Sequence, residues 1–139
     1  MNFLLDRFIS AQATSYAEAL SEIRAGRKRS HWMWFIFPQM KGLGSSSNAS
    51  YYGIEGLAEA TAYLQHPTLG NRLIEISRAL LALPGNNATT VMGSSDDMKL
   101  RSSMTLFSQV EGADAVFEQV LDKYFDGKKD ARTLALLGI

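Results

Sequence analysis

The chain has 139 residues, of which 46% are hydrophobic and 20% charged, with 14 basic residues set against 14 acidic ones. These are the proportions of a globular domain long enough to bury a core; they exclude a disordered chain and give no support for general binding to nucleic acid or an anionic membrane. The absence of cysteine rules out disulfides, thiolate metal sites, iron–sulfur clusters and cysteine nucleophiles, and His31 and His66 alone do not make a recognisable zinc site.

The opening "MNFLLDRFISAQ" has neither the basic start nor the apolar run of a signal peptide, because Asp6 and Arg7 interrupt it. No stretch approaches the roughly 20 apolar residues of a spanning helix, so the expectation is a cytoplasmic protein with no membrane partner. Leu5, Phe8, Ile9, Gln12, Tyr16, Ala19, Leu20 and Ile23 recur at helical spacing. That predicts a first helix over about residues 3–24, ended by Gly26. A second, short helix is expected after Ser30, an acceptable N-cap, and has to stop near Phe37 because Pro38 follows.

"KGLGSSSNAS" reads as a surface loop. Ile54, Leu57, Ala58, Thr61 and Leu64 mark a third helix, and His66-Pro67 restarts the chain, since proline suits a first helical position. Leu69, Leu73, Ile76, Leu80 and Leu83 predict the fourth and clearest helix, which "LPGNN" ends. "ATTVMG" fits one helical turn. Ser94 or Ser95 is expected to cap the next helix, with Asp96 and Asp97 in its first turn, where the dipole favours anions.

Leu100, Met104 and Phe107 line one face of that helix. Ala113, Phe117, Val120, Leu121 and Tyr124 line the following one, which Gly127 closes, and a last short helix runs from near Asp130 to Leu137. Neither period-two alternation nor an internal repeat appears. The fold class is therefore all-α: a single compact domain over residues 1–139, an irregular array of about five to seven helices.

With the elements in place, "GRKRSHWMWFIFPQMKGLG", "AYLQHPTLGNRL" and "MGSSDDMKLRSSMTLF" resemble the signature blocks of a bacterial family of domains of unknown function, family 1810 (DUF1810). Its members are often labelled calpastatin. The likeness runs from "LDRFISAQ" to "DARTLALLGI", nearly the whole chain. It implies a compact, mostly helical domain with no established activity, and it brings no catalytic residue to carry over. The label implies inhibition of a calcium-dependent protease, but that inhibitor acts through disordered segments, which a folded helical domain does not offer.

The first block holds the unbroken apolar run "WMWFIF". On a short helix Trp32, Phe35 and Ile36 share a face while Trp34 and Phe37 fall elsewhere, and a run apolar all round is chiefly core. Its flanks are not explained that way. Arg27, Lys28, Arg29 and His31 are donors suited to phosphate or carboxylate, and an indole beside them can stack on a ring. Gln39 adds an amide, and Gly42 and Gly44 a loop whose backbone can approach a ligand, although no dinucleotide or Walker pattern is present.

In the third block, capping and the dipole explain Asp96 and one serine. They do not explain why Lys99, Arg101, Ser102, Ser103 and Thr105 crowd one helix, where Lys99, Ser102 and Ser103 share a face. No "GxSxG" elbow supports a serine hydrolase. His66 reads as a helix-entry residue, and "DGKKDAR" as a solvated turn and helix start.

Together the two blocks suggest a polar pocket between segments 27–44 and 94–105 that takes an anionic small molecule, a nucleotide or a phosphorylated metabolite. In that reading Arg29 and Lys99 bind the anion, Trp32 or Trp34 stacks, and Gln39, Ser102 and Ser103 orient the ligand. His31 and Asp97 are the acid–base candidates if the pocket is catalytic. No metal or cofactor is expected. Two alternatives come from other classes: a protein-interaction domain that docks a partner through its basic-aromatic segment, and single-stranded nucleic-acid binding through Arg27–Arg29 and the tryptophans, which the neutral net charge disfavours.

Overall fold

The computed structural model describes residues 3–139. Nine helices follow one another among the described residues: α1 (Asp6–Arg24), α2 (Met33–Ile36), α3 (Ser47–Tyr51), α4 (Leu57–Gln65), α5 (Pro67–Ala82), α6 (Ala88–Met92), α7 (Asp96–Ser108), α8 (Val116–Phe125) and α9 (Ala131–Leu137). Among the described residues the only extended pairing is a single parallel bridge between Met40 and Ile54. The class is all-α as the periodicity indicates, but the count exceeds the expected five to seven. The excess comes from turns such as α3, which has 5 residues, too few for a hydrophobic period to register.

α3 also falls inside the stretch expected to be loop. Ser46 accepts a hydrogen bond from the Ala49 N–H at 3.1 Å and so starts a helical turn among the serines. Other helix starts follow the same chemistry with less usual residues. His66 caps α5 by accepting from the N–H groups of Thr68 and Leu69 through Nδ1, at 3.1 and 3.3 Å. Asp130 caps α9 by accepting from the Thr133 N–H at 3.0 Å. The serine cap expected for α7 is not made. Ser95 sits at φ 67°, in the left-handed region, and its side chain accepts nothing from the helix. The Asp97 carboxylate instead accepts from the Met98 N–H at 2.8 Å.

α7 is the central helix. Its residues Ser102, Ser103, Met104, Thr105, Leu106 and Phe107 are all buried, and it packs against α4, α6, α8 and α9. Burial on all sides accounts for the weak one-sided pattern in this segment. An aromatic series crosses the core through four helices: Phe8 meets Tyr63 edge-on at 5.1 Å, Tyr63 meets Phe107 at 5.3 Å, and Phe107 meets Phe117 at 5.9 Å. Each such side chain contributes roughly 1.5–3 kcal/mol by burial alone. Gln12, the polar member of the α1 stripe, is buried because its amide donates to the Phe35 carbonyl at 2.8 Å and to the Tyr63 hydroxyl at 3.0 Å.

α4 and α5 meet so closely that a Cβ on Gly70 would lie 2.0 Å from the Leu64 carbonyl oxygen. The obstacle is backbone and cannot swing aside. Gly70→Ala ought therefore to lower stability by about 2 kcal/mol or more despite the helix preference of alanine, read as a fall in the urea midpoint at unchanged slope. A neutral or stabilising result would contradict this packing.

Candidate functional site

The last turn of α1 carries Glu22, and the first block of interest is wrapped around its carboxylate. Oε1 accepts from the N–H groups of Arg29 and Ser30 at 2.7 and 3.0 Å and from the Trp32 indole N–H at 3.0 Å. Oε2 accepts from the Ser30 hydroxyl at 2.6 Å. Desolvation by itself would raise the pKa of this carboxyl, but the hydrogen bonds from the Ser30 hydroxyl, the Arg29 N–H, the Trp32 indole and the Ser30 N–H outweigh it and hold it at about 2.

This anchor sorts the cations of the segment. The Arg29 and His31 side chains are left exposed, while Trp32 is buried. Lys28 turns inward: its N–H donates to the Val91 carbonyl at 2.7 Å, and its ammonium pairs with Asp96 at 2.9 Å while lying 4.9 Å from the Trp32 ring centre. The other oxygen of Asp96 pairs with Lys99 at 3.0 Å, and the Lys99 ammonium lies 5.5 Å from the Trp34 ring centre. Burial disfavours the Asp96 carboxylate, but hydrogen bonds and charge from Lys28 and Lys99 prevail and lower its pKa. One aspartate at the start of α7 thus sits between two lysines, each over a different indole.

A second wall is the loop between α2 and α4. Its ends are joined where the Lys41 N–H donates to the Ile54 carbonyl and the Ile54 N–H to the Gln39 carbonyl, both at 2.8 Å. Gly53 is required there, since a Cβ would lie 2.7 Å from the Lys41 Cα. Arg7 of α1 pins the loop from behind, donating to the carbonyls of Tyr51 at 2.8 Å and Gly53 at 3.0 Å and pairing with Glu59 at 2.8 Å. Both side chains of this pair are almost fully buried, so removing either partner would strand a charge.

The third wall is the start of α9. Arg101 of α7 donates to the carbonyls of Lys128 and Lys129 at 2.7 and 2.8 Å, and the Thr105 hydroxyl accepts from the Asp130 N–H at 2.9 Å. Asp130 Oδ2 accepts from the Ser102 hydroxyl at 3.2 Å, the Thr133 N–H at 3.0 Å and the Thr133 hydroxyl at 2.6 Å. Arg101 and Thr105, unexplained in the sequence, are the residues that dock this turn onto α7.

Between these walls lies a cleft of about 580 Å³, lined by Trp34, Gln39, Lys99 and Ser102 together with Met98, Tyr52, Asp130, Arg132 and the loop around Gly44–Asn48. The remaining candidates sit elsewhere. Trp32 is buried against Glu22, and Arg29 and His31 do not line the cleft. Ser103 is fully buried, its hydroxyl without a hydrogen-bond partner. Asp97 also lies off the cleft, accepting from the Thr89 hydroxyl at 2.6 Å.

Asp130 and Arg132 are the cleft residues that the sequence reading passed over, inside a run taken for a solvated turn. The signal available was the Asp130–Thr133 spacing of a helix cap, which fixes a side chain but does not say what it faces. Among the described residues no group of three or more histidine, aspartate or glutamate side chains is placed to hold a metal, and no helix is long and apolar enough to cross a membrane.

The family described as "Protein of unknown function (DUF1810)" matches the chain over residues 2–137. The chain is also similar to the conserved hypothetical protein Rv1873 from Mycobacterium tuberculosis, whose crystal structure superposes with a TM-score of 0.94 at 50% identity, covering 97% of this chain and 96% of that one. No curated protein matches the sequence.

The Glu22 anchor has a pH signature. Its carboxyl titrates at about 2 when folded, against 4.5 as the ordinary value. The stabilisation is therefore complete above the ordinary value and is lost as pH falls from there toward 2. Glu22→Gln is expected to cost about 1–2 kcal/mol at neutral pH, a figure reduced for the partial exposure of the carboxylate. In urea unfolding the gap to wild type should shrink steadily through that acid window, and a gap independent of pH would contradict the anchor.

Proposed function

Because the chain belongs to the DUF1810 family, whose description assigns no activity, its function has to be read from its own cleft, and we propose that this cleft binds an anionic small molecule, a nucleotide or a phosphorylated metabolite. The observation that carries the reading is the meeting of Lys99, Trp34 and Arg132 on one cleft of about 580 Å³. That volume suits a metabolite-sized ligand. Arg132 makes no hydrogen bond or ion pair among the described residues, so its guanidinium is available for a bidentate contact with phosphate or carboxylate.

Lys99 supplies the second positive charge. Its ammonium is shared between Asp96 and the Trp34 ring, which keeps it over the indole rather than free in solvent. Trp34 is half-buried, so its ring has an accessible part on which a planar group stacks. Gln39 and Ser102 orient what lies between.

The reading is one of binding. His31 and Asp97 lie off the cleft, so no reaction is attached to it. The nucleic-acid alternative loses support because Lys28, the middle of its three cations, is buried in the pair with Asp96. The interaction-domain alternative draws on the exposed apolar side chains Leu4, Tyr51, Met98, Leu136 and Ile139, of which Met98 lines the cleft.

A thermal-shift screen against nucleoside monophosphates and sugar phosphates tests the reading. A ligand at one hundred times its dissociation constant adds roughly 2.7 kcal/mol, a shift of several degrees for a domain of this size. The expected result is at least one such shift in wild type that Lys99→Ala and Trp34→Ala remove and Arg29→Ala, off the cleft, retains. No shift with any anion, or a shift indifferent to Lys99, would overturn it.

A further inference from the structure

We propose that the cleft selects ribonucleotides, with Asp130 reading the sugar hydroxyls. This rests on the anion-binding reading above and names the ligand class within it.

The argument starts from a carboxylate in a cleft that otherwise presents cations. An aspartate facing Lys99 and Arg132 would repel a ligand that offered only negative charge. The fold nevertheless holds Asp130 there firmly. Its N–H is tied to the Thr105 hydroxyl, the two residues before it are held by Arg101, and its Oδ2 accepts three hydrogen bonds from Ser102 and Thr133. Oδ1 accepts none among the described residues, and Asp130 lines the cleft. The carboxylate is thus fixed in direction with one ionised acceptor uncommitted.

What satisfies such an acceptor is an O–H or N–H donor on the ligand, and a hydrogen bond to an ionised group is among the stronger kinds. A vicinal diol offers two hydroxyls at once. The rest of the wall fits the remainder of a nucleotide. The indole of Trp34 presents both a flat face and an N–H that makes no hydrogen bond within the described chain, and the Gln39 amide is likewise uncommitted, so a base can be stacked and its edge read.

The experiment is isothermal titration of the four ribonucleoside 5′-monophosphates and their 2′-deoxy counterparts into wild type and Asp130→Asn. The asparagine keeps the cap through its amide oxygen but turns a donor toward the cleft where the free acceptor was. Asp130→Ser, which keeps the cap and has no second oxygen, guards against an effect peculiar to the amide. The expected result is at least one ribonucleotide bound roughly tenfold more tightly than its deoxy form, with both variants abolishing that preference of ribo over deoxy.

Lys99-dependent binding with equal ribo and deoxy affinities, or a preference that survives both substitutions, would overturn the hydroxyl reading and leave the anion-binding cleft standing. Binding of ribose 5-phosphate or glycerol phosphate but of no nucleotide would overturn the assignment to ribonucleotides. If none of these anions binds, both readings fall.

Discussion

The carboxylate of Glu22 is the point from which the cleft-bearing half of the molecule is built. Four donors converge on it from Arg29, Ser30 and Trp32, and all four belong to a stretch with no helix of its own to satisfy its backbone. Holding that stretch against the end of α1 sets Trp32 in the core and turns Lys28 inward to Asp96. Asp96 then holds Lys99, and Lys99 lies over Trp34. The geometry of the cleft wall is thus inherited through a series of charge-assisted contacts that begins with one buried-side hydrogen-bond acceptor.

The other two walls follow the same logic with arginine as the tie. Arg7 donates to the carbonyls of the loop that follows α2, and Arg101 to those of the turn that precedes α9. In both cases a guanidinium on a rigid helix satisfies loop carbonyls that regular structure leaves open. The cleft is a gap between α2 and α7 on one side and two irregular segments on the others, each of those segments fastened from behind to a helix, which is how loops acquire fixed positions.

The helices themselves were readable because burial of one face imposes a period. α5 and α8 follow their apolar spacing except at their ends, where Leu83 and Ala113 lie outside them, as Ile54 lies before α4, and the chain breaks at Pro38, His66-Pro67 and Gly127 fall where local backbone chemistry requires. α3 lies within a stretch read as loop, since a single turn leaves no period to see, whereas the turn expected at "ATTVMG" is α6. The expected serine cap on α7 failed for another reason: the left-handed backbone at Ser95 directs its side chain away from the helix, a conformation that no propensity announces.

Of the candidate residues, Trp34, Gln39, Lys99 and Ser102 line the cleft, while the cations before Trp32 divide between an internal ion pair and the surface. The sequence shows that Arg27, Lys28, Arg29 and His31 are donors. It does not show that Glu22, seven residues before Arg29, already claims the backbone between them. Asp130 and Arg132 were hidden for the complementary reason. Their place on the cleft depends on Arg101 reaching across to a distant turn, a long-range contact with no local trace.

Trp32 is bonded to Glu22 and Trp34 lines the cleft, so under the proposed function only Trp34 meets a ligand, and this division is directly measurable. The chain contains 2 tryptophans, so a ¹H–¹⁵N spectrum resolves two indole N–H resonances, assignable with Trp34→Phe. On titration with ribonucleoside monophosphates the Trp34 indole signal should move in a saturable manner, while the Trp32 signal, held by Glu22, stays in place. Movement of the Trp32 resonance alone, or of neither, would contradict the account.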